Sequence, residues 1–184
     1  MLRVIKYVLD TKNLGLKIKP TEGRNTPWDL VCFSDSYYAG NPETRRSVSG
    51  YVLYIKGVPV AWRSKGQRSV TLSSSEAEWI ALSEAVKEIM FILQLLEAMK
   101  IKVQLPVIVR VDNTRAIFTG KNVTTTARTK HVDIRTKYVH EYMEDGIVKI
   151  IFVKSADNVS DIMTKNVPGD PYKKHSKHLV TEKI

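Results

Sequence analysis

The sequence is poor in the residues that build disulfides and cysteine-based metal centres. Cys32 is its single cysteine, so no disulfide can form within the chain and no zinc site can be built from cysteines. The four histidines lack the spacing of helix-borne metal motifs such as HExxH. Uncharged runs fall far short of the roughly 18 residues of a membrane helix, and MLRVIKYVLD is too charged for a signal peptide. These absences favour a reducing compartment and a protein without a membrane span.

Positive charge is abundant. The 184 residues include 29 Lys and Arg against 19 Asp and Glu, which gives a formal net charge of +10. The basic residues are spread along the chain, which favours a folded basic surface. Such a balance usually indicates an acidic partner, most often nucleic acid or an anionic membrane; a basic surface without such a partner is the alternative. With 43% hydrophobic residues, the chain can form one compact domain.

Hydrophobic periodicity predicts an α/β protein. MLRVIKYVLD has helical spacing and is followed by an extended run and a loop, so residues 1–28 are interpreted as the end of a preceding segment. The rest is predicted to contain strands at 30–36, 106–113 and 147–155, a hairpin at 47–65 turning at Lys56-Gly57, helices at 74–99 and 129–146, short helices after residue 113 and at 158–167, and a mobile basic tail. This order predicts a mixed sheet with helices on its faces.

Acidic residues mark the ends of two predicted strands. Asp35 and Asp112 each end a strand, where open α/β sheets gather their ligands. One such aspartate is more often explained by turn chemistry. Two in a basic protein indicate a divalent metal used for phosphate chemistry, because grouped carboxylates repel without a cation. Asp161 begins the last predicted helix, where helix-dipole complementation alone would explain it, and Asp157 is its rival.

Two glutamates, Glu76 and Glu78, open the long helix. Ser73 and Glu76 have the spacing of a capping box, which gives Glu76 a structural role. At about 100° per residue, Glu78 lies on the opposite side of the helix. Glu76 shares its side with Ser83 and Lys87, which indicates solvent, whereas Glu78 shares its side with the apolar residues that face the sheet. A buried carboxylate is costly unless paired, so Glu78 is the better candidate for chemistry, with a first-turn Glu exposed to water as the alternative.

Four segments together carry a family resemblance: SDSYYAG through SSSEAEWIAL, VDNTRAI, TARTKHVDIR and SADNVSDIMTKNV. Over about residues 30–168 they closely resemble the RNase H domain of copia-type LTR retrotransposon polyproteins, and LRVIKYVLDTKNLGLKI resembles the linker after the reverse transcriptase. The resemblance implies a division of the chain into three parts: a linker (1–28), an RNase H domain (29–168) and a basic tail (169–184). The implied fold is RNase H-like: a mixed five-stranded sheet, strands 1–3 antiparallel and 4–5 parallel, with helices on both faces.

The resemblance also implies a set of site residues. Asp35, Glu78, Asp112 and Asp161 match the family's D-E-D-D acids, which hold two Mg²⁺, with Mn²⁺ as an alternative. The resemblance places Ser73, Ser74 and Ser75 where family members carry small polar residues that touch the DNA strand's phosphates. It places Thr114 where many members carry a glutamine that contacts the minor groove. Five basic residues are further candidates for phosphate contacts, with plain solvated charge as the alternative: Arg45, Arg46, Arg63, Lys65 and Arg68.

One departure from the family concerns proton transfer. Many RNases H carry a histidine in the loop before the fourth acid, but FVKSADNVSD has none, and His131 is in the wrong segment to replace it. Slower turnover, or Lys154 as another proton carrier, would follow.

The implied function is hydrolysis of the RNA strand of RNA–DNA hybrids during reverse transcription, alongside the polyprotein's reverse transcriptase. The implied location is cytoplasmic, in virus-like particles, with the nucleus as an alternative. A catalytically weak or silent hybrid-binding or structural domain is the competing interpretation. An integrase is disfavoured because its core places the glutamate last among the acids.

Overall fold

The strand Leu30–Tyr37 lies at the centre of a five-stranded sheet. The computed structural model describes residues 2–20, 27–113 and 130–182. The strands are β1 (Leu14–Leu16), β2 (Leu30–Tyr37), β3 (Val48–Ile55), β4 (Val58–Gly66), β5 (Val107–Val111), β6 (Val148–Phe152) and β7 (Val180–Glu182). The helices are α1 (Leu2–Asp10), α2 (Ser74–Ala98), α3 (Lys130–Glu144), α4 (Asp161–Thr164) and α5 (Gly169–Ser176), with a 3₁₀ turn at Ser155–Asp157.

The five-stranded sheet is mixed, as the sequence predicted. Its strand order is β4-β3-β2-β5-β6. The first three strands of this sheet, β2, β3 and β4, pair antiparallel in succession, whereas β5 pairs parallel with both β2 and β6. Lys56 and Gly57, with φ of 49° and 73°, form the predicted tight turn between β3 and β4. Two successive residues at positive φ match the right-handed twist of the flanking strands, so this turn fixes the hairpin register.

Alternation along β2 sends successive side chains to two hydrophobic layers. Leu30 and Cys32 are buried with Trp79, Leu82 and other apolar residues of α2. Phe33 points the other way, into a second cluster that includes Val159, Ile162 and Leu179. Helices therefore cover both faces, which confirms the predicted architecture. The alternation also means that neighbouring residues near the end of β2 project to opposite faces.

The chain termini differ from the expectation of a mobile tail. Residues 169–176 form α5, and β7 pairs antiparallel with β1 in a separate two-stranded sheet. The physical reason is Leu179, which is 9% exposed and packs in the second cluster, while the Lys17 N–H donates to its carbonyl over 2.8 Å. The basic composition concealed this apolar contact. The division of the chain into linker, domain and tail stays a prediction.

Within the ranges that the structure describes, no helix has the length and apolar character needed to cross a bilayer. Thr114 and the short helix predicted after residue 113 lie outside the described residues.

Candidate active site

Three acids meet at one edge of the sheet. Because β2 and β5 are adjacent and parallel, with Phe33 opposite Arg110, their carboxyl ends lie at the same edge. Asp35 lies near the end of β2, Asp112 directly follows β5, and Glu78 lies in the first turns of α2. One carboxylate oxygen from each of these three residues lies within 4.8 Å of the other two. The convergence that the sequence predicted is therefore present in the structure.

The two glutamates of α2 have different surroundings. Glu76 belongs to the helix start: its N–H donates to Ser73 Oγ over 3.2 Å, and its Oε2 accepts from the N–H of Leu72 over 2.5 Å. The Glu76 carboxylate thus accepts from the N–H of the residue before the N-cap. In a capping box it would instead accept from the N–H of the N-cap residue, Ser73. Glu78 is only 8% exposed, and Ser36 Oγ donates to its Oε1 over 2.9 Å. The structure therefore confirms the different positions that the helical period predicted for these glutamates.

The solvent exposure expected on the Glu76 side of α2 is wrong at Ser83. This serine is fully buried, and Arg135 of α3 donates from Nη1 to its Oγ over 2.8 Å. Packing of α3 against α2 covers the position, which the pattern of a single helix does not reveal.

Burial governs the electrostatics of Glu78. Burial, followed by the charge of Asp35, raises the pKa of Glu78 to about 8, although the hydrogen bond from Ser36 opposes the shift. Without a cation, this carboxyl is therefore largely protonated at neutral pH. A bound cation would favour the ionised form, because an opposite charge nearby lowers a carboxyl pKa.

Asp35 is held from the opposite face of the sheet by α4. Its side chain is 1% exposed, and its Oδ2 accepts a hydrogen bond from the hydroxyl of Thr164. Gly50 lies opposite Asp35 on β3, and a Cβ there would come within 2.6 Å of Thr164 Cγ2. Glycine at this position therefore allows α4 to approach the sheet. Burial raises the pKa of Asp35 to about 6, while the Lys165 charge and the Thr164 hydrogen bond limit the rise.

Asp161, the fourth predicted acid, reaches the cluster through a lysine. Lys165 Nζ lies 3.0 Å from Asp161 Oδ1 and 3.4 Å from Asp35 Oδ2. Burial raises the pKa of Asp161, although Lys165 opposes the shift. The rival acid, Asp157, is half-exposed and pairs over 2.5 Å with Lys174. Asp161 is therefore the fourth acid beside the site, and Asp157 has a different partner.

Four polar partners of the acids were missed by the sequence reasoning. Ser36 and Thr164 donate to Glu78 and Asp35, as described above, and Ser155 Oγ donates to Asp112 Oδ2 over 2.6 Å. Lys165 has a readable signal, because it lies four residues after Asp161 within a helical pattern. Ser155 has none, since its contact joins residues 43 positions apart.

The donor set suits a hard divalent cation. Asp35, Glu78 and Asp112 offer only carboxylate oxygens, the ligands that Mg²⁺ and Mn²⁺ prefer. Two of these acids are buried, and burying several carboxylates together is favourable only when protons or a cation reduce their charge. The residues present therefore fit a divalent metal. A ligand role for Asp161 stays a prediction, because among the described residues only the other three acids converge within 4.8 Å.

The predicted phosphate-contacting serines and two of the arginines lie at the start of α2 and on the β2–β3 connection. Ser73 and Ser74 are exposed and Ser75 is half-buried at the start of α2. Arg45 and Arg46 are exposed on the β2–β3 connection, which leaves the sheet at the carboxyl end of β2. A phosphate contact by any of them stays a prediction.

Arg63, Lys65 and Arg68 line a groove of about 720 Å³ between β4 and α2. The part of the groove lined by these three residues is called the basic groove below. Lys87 and Arg135 add positive charge from the helices, and three acids of α2 also line the groove: Glu76, Glu84 and Glu88. The mixture of charges means that an anion would be drawn mainly to the β4 side.

Two further predictions remain untested by the structure. Thr114 and the side chain of His131 lie outside the described residues. Lys154 is exposed just after β6, and its role as a proton carrier stays a prediction.

Solved structures resemble the fold described above. LC11-RNase H1, isolated from compost, matches with a TM-score of 0.55 and 19% identity over 74% of this chain and 92% of its own. The same protein in complex with an RNA/DNA hybrid gives 0.52 and 20% identity over 74% and 94%. The protease-reverse transcriptase of prototype foamy virus gives 0.51 and 15% identity over 84% of this chain and 23% of its own. At these identities the similarity shows an RNase H-like fold.

Sequence relatives supply the family. The Pol polyprotein from transposon TNT 1-94 of Nicotiana tabacum is 33% identical over 159 residues, 81% of this chain and 12% of the polyprotein. The chain carries an RNase H-like domain homologous to copia-type retrotransposon Pol polyproteins. The transposon RE1 Pol polyprotein of Arabidopsis thaliana is 28% identical over 89% of this RNase H-like chain and 11% of its own length. The chain therefore spans only about an eighth of these relatives. No protein-family model matches it.

Proposed function

We propose that the domain is a metal-dependent ribonuclease that hydrolyses the RNA strand of RNA–DNA hybrids. The observation that carries this proposal is the convergence of Asp35, Glu78 and Asp112 within 4.8 Å. Homology to Pol polyproteins supports it, because the relatives belong to retrotransposons. The net charge of +10 suits a polyanionic substrate.

The acids have distinct proposed roles. Asp35, central in the cluster, would serve two divalent ions, Mg²⁺ or Mn²⁺. Glu78 and Asp112 would hold one ion with it, and Asp161 the other. When bound, such ions activate water and stabilise the charge that develops on a phosphate during hydrolysis. Ser36 and Thr164 orient Glu78 and Asp35, because each donates one hydrogen bond to a carboxylate oxygen that must keep its direction.

Binding of the hybrid would rest on the basic residues. Contacts from Arg45, Arg46 and the basic groove would position the phosphate backbones without reading sequence. Ser73 and its neighbours at the exposed start of α2 would contact the DNA strand. We further propose that the reverse transcriptase of the same polyprotein is the domain's partner and that it acts in virus-like particles or the nucleus.

A hybrid-binding domain with weak or no cleavage is the second candidate. The observation that favours it is the absence of histidine between Val153 and Asp161, where the resemblance predicts a proton-transfer group. In that case the basic residues would bind hybrid and the acids would contribute little turnover.

Cleavage of an end-labelled RNA–DNA hybrid in Mg²⁺ tests the two candidates, with Asp112→Asn as the matched control. The ribonuclease proposal predicts cleavage by the wild type and at least about a 100-fold loss in the variant. Equal cleavage by both proteins, or hybrid binding without cleavage even with reverse transcriptase supplied, would exclude it.

A further inference from the structure

Lys165 places a positive charge inside the acidic cluster. Its Nζ lies 3.0 Å from Asp161 Oδ1 and 3.4 Å from both carboxylate oxygens of Asp35. The backbone holds the residue in place, because the Lys165 N–H donates to the Asp161 carbonyl over 2.9 Å at the end of α4. The lysine side chain is 31% exposed, whereas that of Asp35 is 1% exposed. Lys165 therefore closes the cluster toward solvent.

This charge forms direct ion pairs with only one half of the cluster among the described residues. Asp35 and Asp161 share Lys165. Glu78 and Asp112 instead accept hydrogen bonds from the hydroxyls of serine side chains. Within residues 2–20, 27–113 and 130–182, no ion pair joins a lysine or arginine to either of these two acids. The two halves therefore differ in whether the protein supplies its own cation.

We propose that the Lys165 ammonium substitutes for the second divalent ion in the free protein and must withdraw before that ion can bind. The inference rests on the proposed function and concerns how its metal site is loaded. The first ion would bind between Asp35, Glu78 and Asp112, and of these three acids only Asp35 lies within ion-pair distance of Lys165. An ion shared by Asp35 and Asp161 would meet an ammonium about 3 Å from the same oxygens, and like charges at that separation repel strongly.

The side chain can make this movement. Lysine carries its charge on a flexible four-carbon stem, and the partial exposure of Lys165 leaves a path toward solvent. A bound hybrid would favour the movement, because its phosphates offer a new partner to the displaced ammonium. Lys165 is thus a positioning residue that makes occupation of the second site depend on substrate.

A purely structural ion pair makes the opposite prediction about metal. If Lys165 only attached α4 to β2, its removal would loosen Asp35 and Asp161 and weaken metal binding. The proposal predicts tighter binding, so the direction of the change separates the two roles.

Manganese binding without nucleic acid provides the test. Free Mn²⁺ is followed by electron paramagnetic resonance during titration of the wild type, Lys165→Met and Lys165→Gln. Lys174→Met is the matched control, because Lys174 pairs over 2.5 Å with half-exposed Asp157 outside the acidic cluster. We expect both Lys165 variants to bind the second ion at least about tenfold more tightly than the wild type and the control. An unchanged or weakened second affinity would overturn the proposal.

Folding is checked in the same samples by circular dichroism. If the Lys165 variants unfold in EDTA because two acids lose their counter-charge, the proposal expects Mn²⁺ to restore the fold; failure to restore it would count against the proposal. Asp112→Asn separates a failure of the metal site from a failure of the role proposed for Lys165. If Asp112→Asn loses one ion while Lys165→Met has no effect, only the role of Lys165 is overturned. If none of the proteins binds Mn²⁺, the metal site is overturned as well.

Discussion

Replacing Glu78 with glutamine is predicted to stabilise the metal-free protein near neutral pH. The wild-type carboxyl is 8% exposed, and burial with the Asp35 charge raises its pKa from 4.5 to about 8. Glutamine has nearly the same shape and no charge, and it can still accept the hydrogen bond from Ser36. The substitution therefore removes the titration while keeping the packing.

The sign follows from proton binding. Between pH 4.5 and about 8, the folded wild type keeps a proton on Glu78 that the unfolded chain has released. The free energy of unfolding therefore falls as the pH rises through this window, by about 1.4 kcal/mol per pH unit. Between pH 5 and pH 7 the wild type loses roughly 3 kcal/mol from this group. Asp35, whose pKa is about 6, titrates in both proteins, so the difference between them reports Glu78 together with its coupling to Asp35.

Urea unfolding in EDTA, followed by circular dichroism at several pH values from 5 to 8, measures this difference. The stability of Glu78→Gln relative to wild type should grow with pH. In Mg²⁺ the advantage should shrink or reverse, because only the wild type gains from the bound ion. Glu76→Gln is the control and should cost at most about 1 kcal/mol at every pH, since glutamine still serves at this cap position. A pH-independent difference between Glu78→Gln and wild type would refute the reasoning.

Three further predictions concern the surroundings of the site. Gly50→Ala should push α4 away from Asp35, which should lower the free energy of unfolding in urea by about 1–3 kcal/mol and weaken Mn²⁺ binding. Gly66→Ala is the control and should change neither, because its added methyl group meets open space. Equal effects of the two substitutions would contradict the close approach of α4. Alanine at all three basic-groove residues should reduce the slope of log hybrid affinity against log salt by up to about 3, and an unchanged slope would remove them from the interface. Leu179→Ala should lower the free energy of unfolding, measured by thermal unfolding, by about 2–3 kcal/mol. An unchanged stability would instead support the expectation of a mobile C-terminal tail.

Local periodicity explains why much of the fold and site could be predicted. The apolar run at 30–36 predicted a strand, and Lys56-Gly57 between two runs of β-branched and aromatic residues predicted the hairpin turn that the structure shows. The helical period alone separated Glu78 from Glu76, because residues two apart on a helix face opposite ways. Asp35 and Asp112 could be placed together because neighbouring parallel strands end at the same edge.

Contacts between distant segments could not be predicted in this way. Lys165 and Asp35 are separated by 130 positions, and the sequence of neither segment indicates a contact with the other. The burial of Ser83 depends on Arg135, and the order of the C-terminal segment depends on Leu179 meeting Phe33 and its neighbours. Each follows from packing between elements, which a pattern within one element does not contain.

Hybrid cleavage by two glutamate variants tests the central claim most directly. Wild type, Glu78→Gln and Glu76→Gln are compared on the same labelled RNA–DNA hybrid in Mg²⁺, under conditions where all three are folded. The account predicts cleavage by Glu76→Gln at close to the wild-type rate and a loss of at least about 100-fold in Glu78→Gln. Retained cleavage in Glu78→Gln, or its loss in Glu76→Gln, would contradict the assignment of the acidic cluster as the active site.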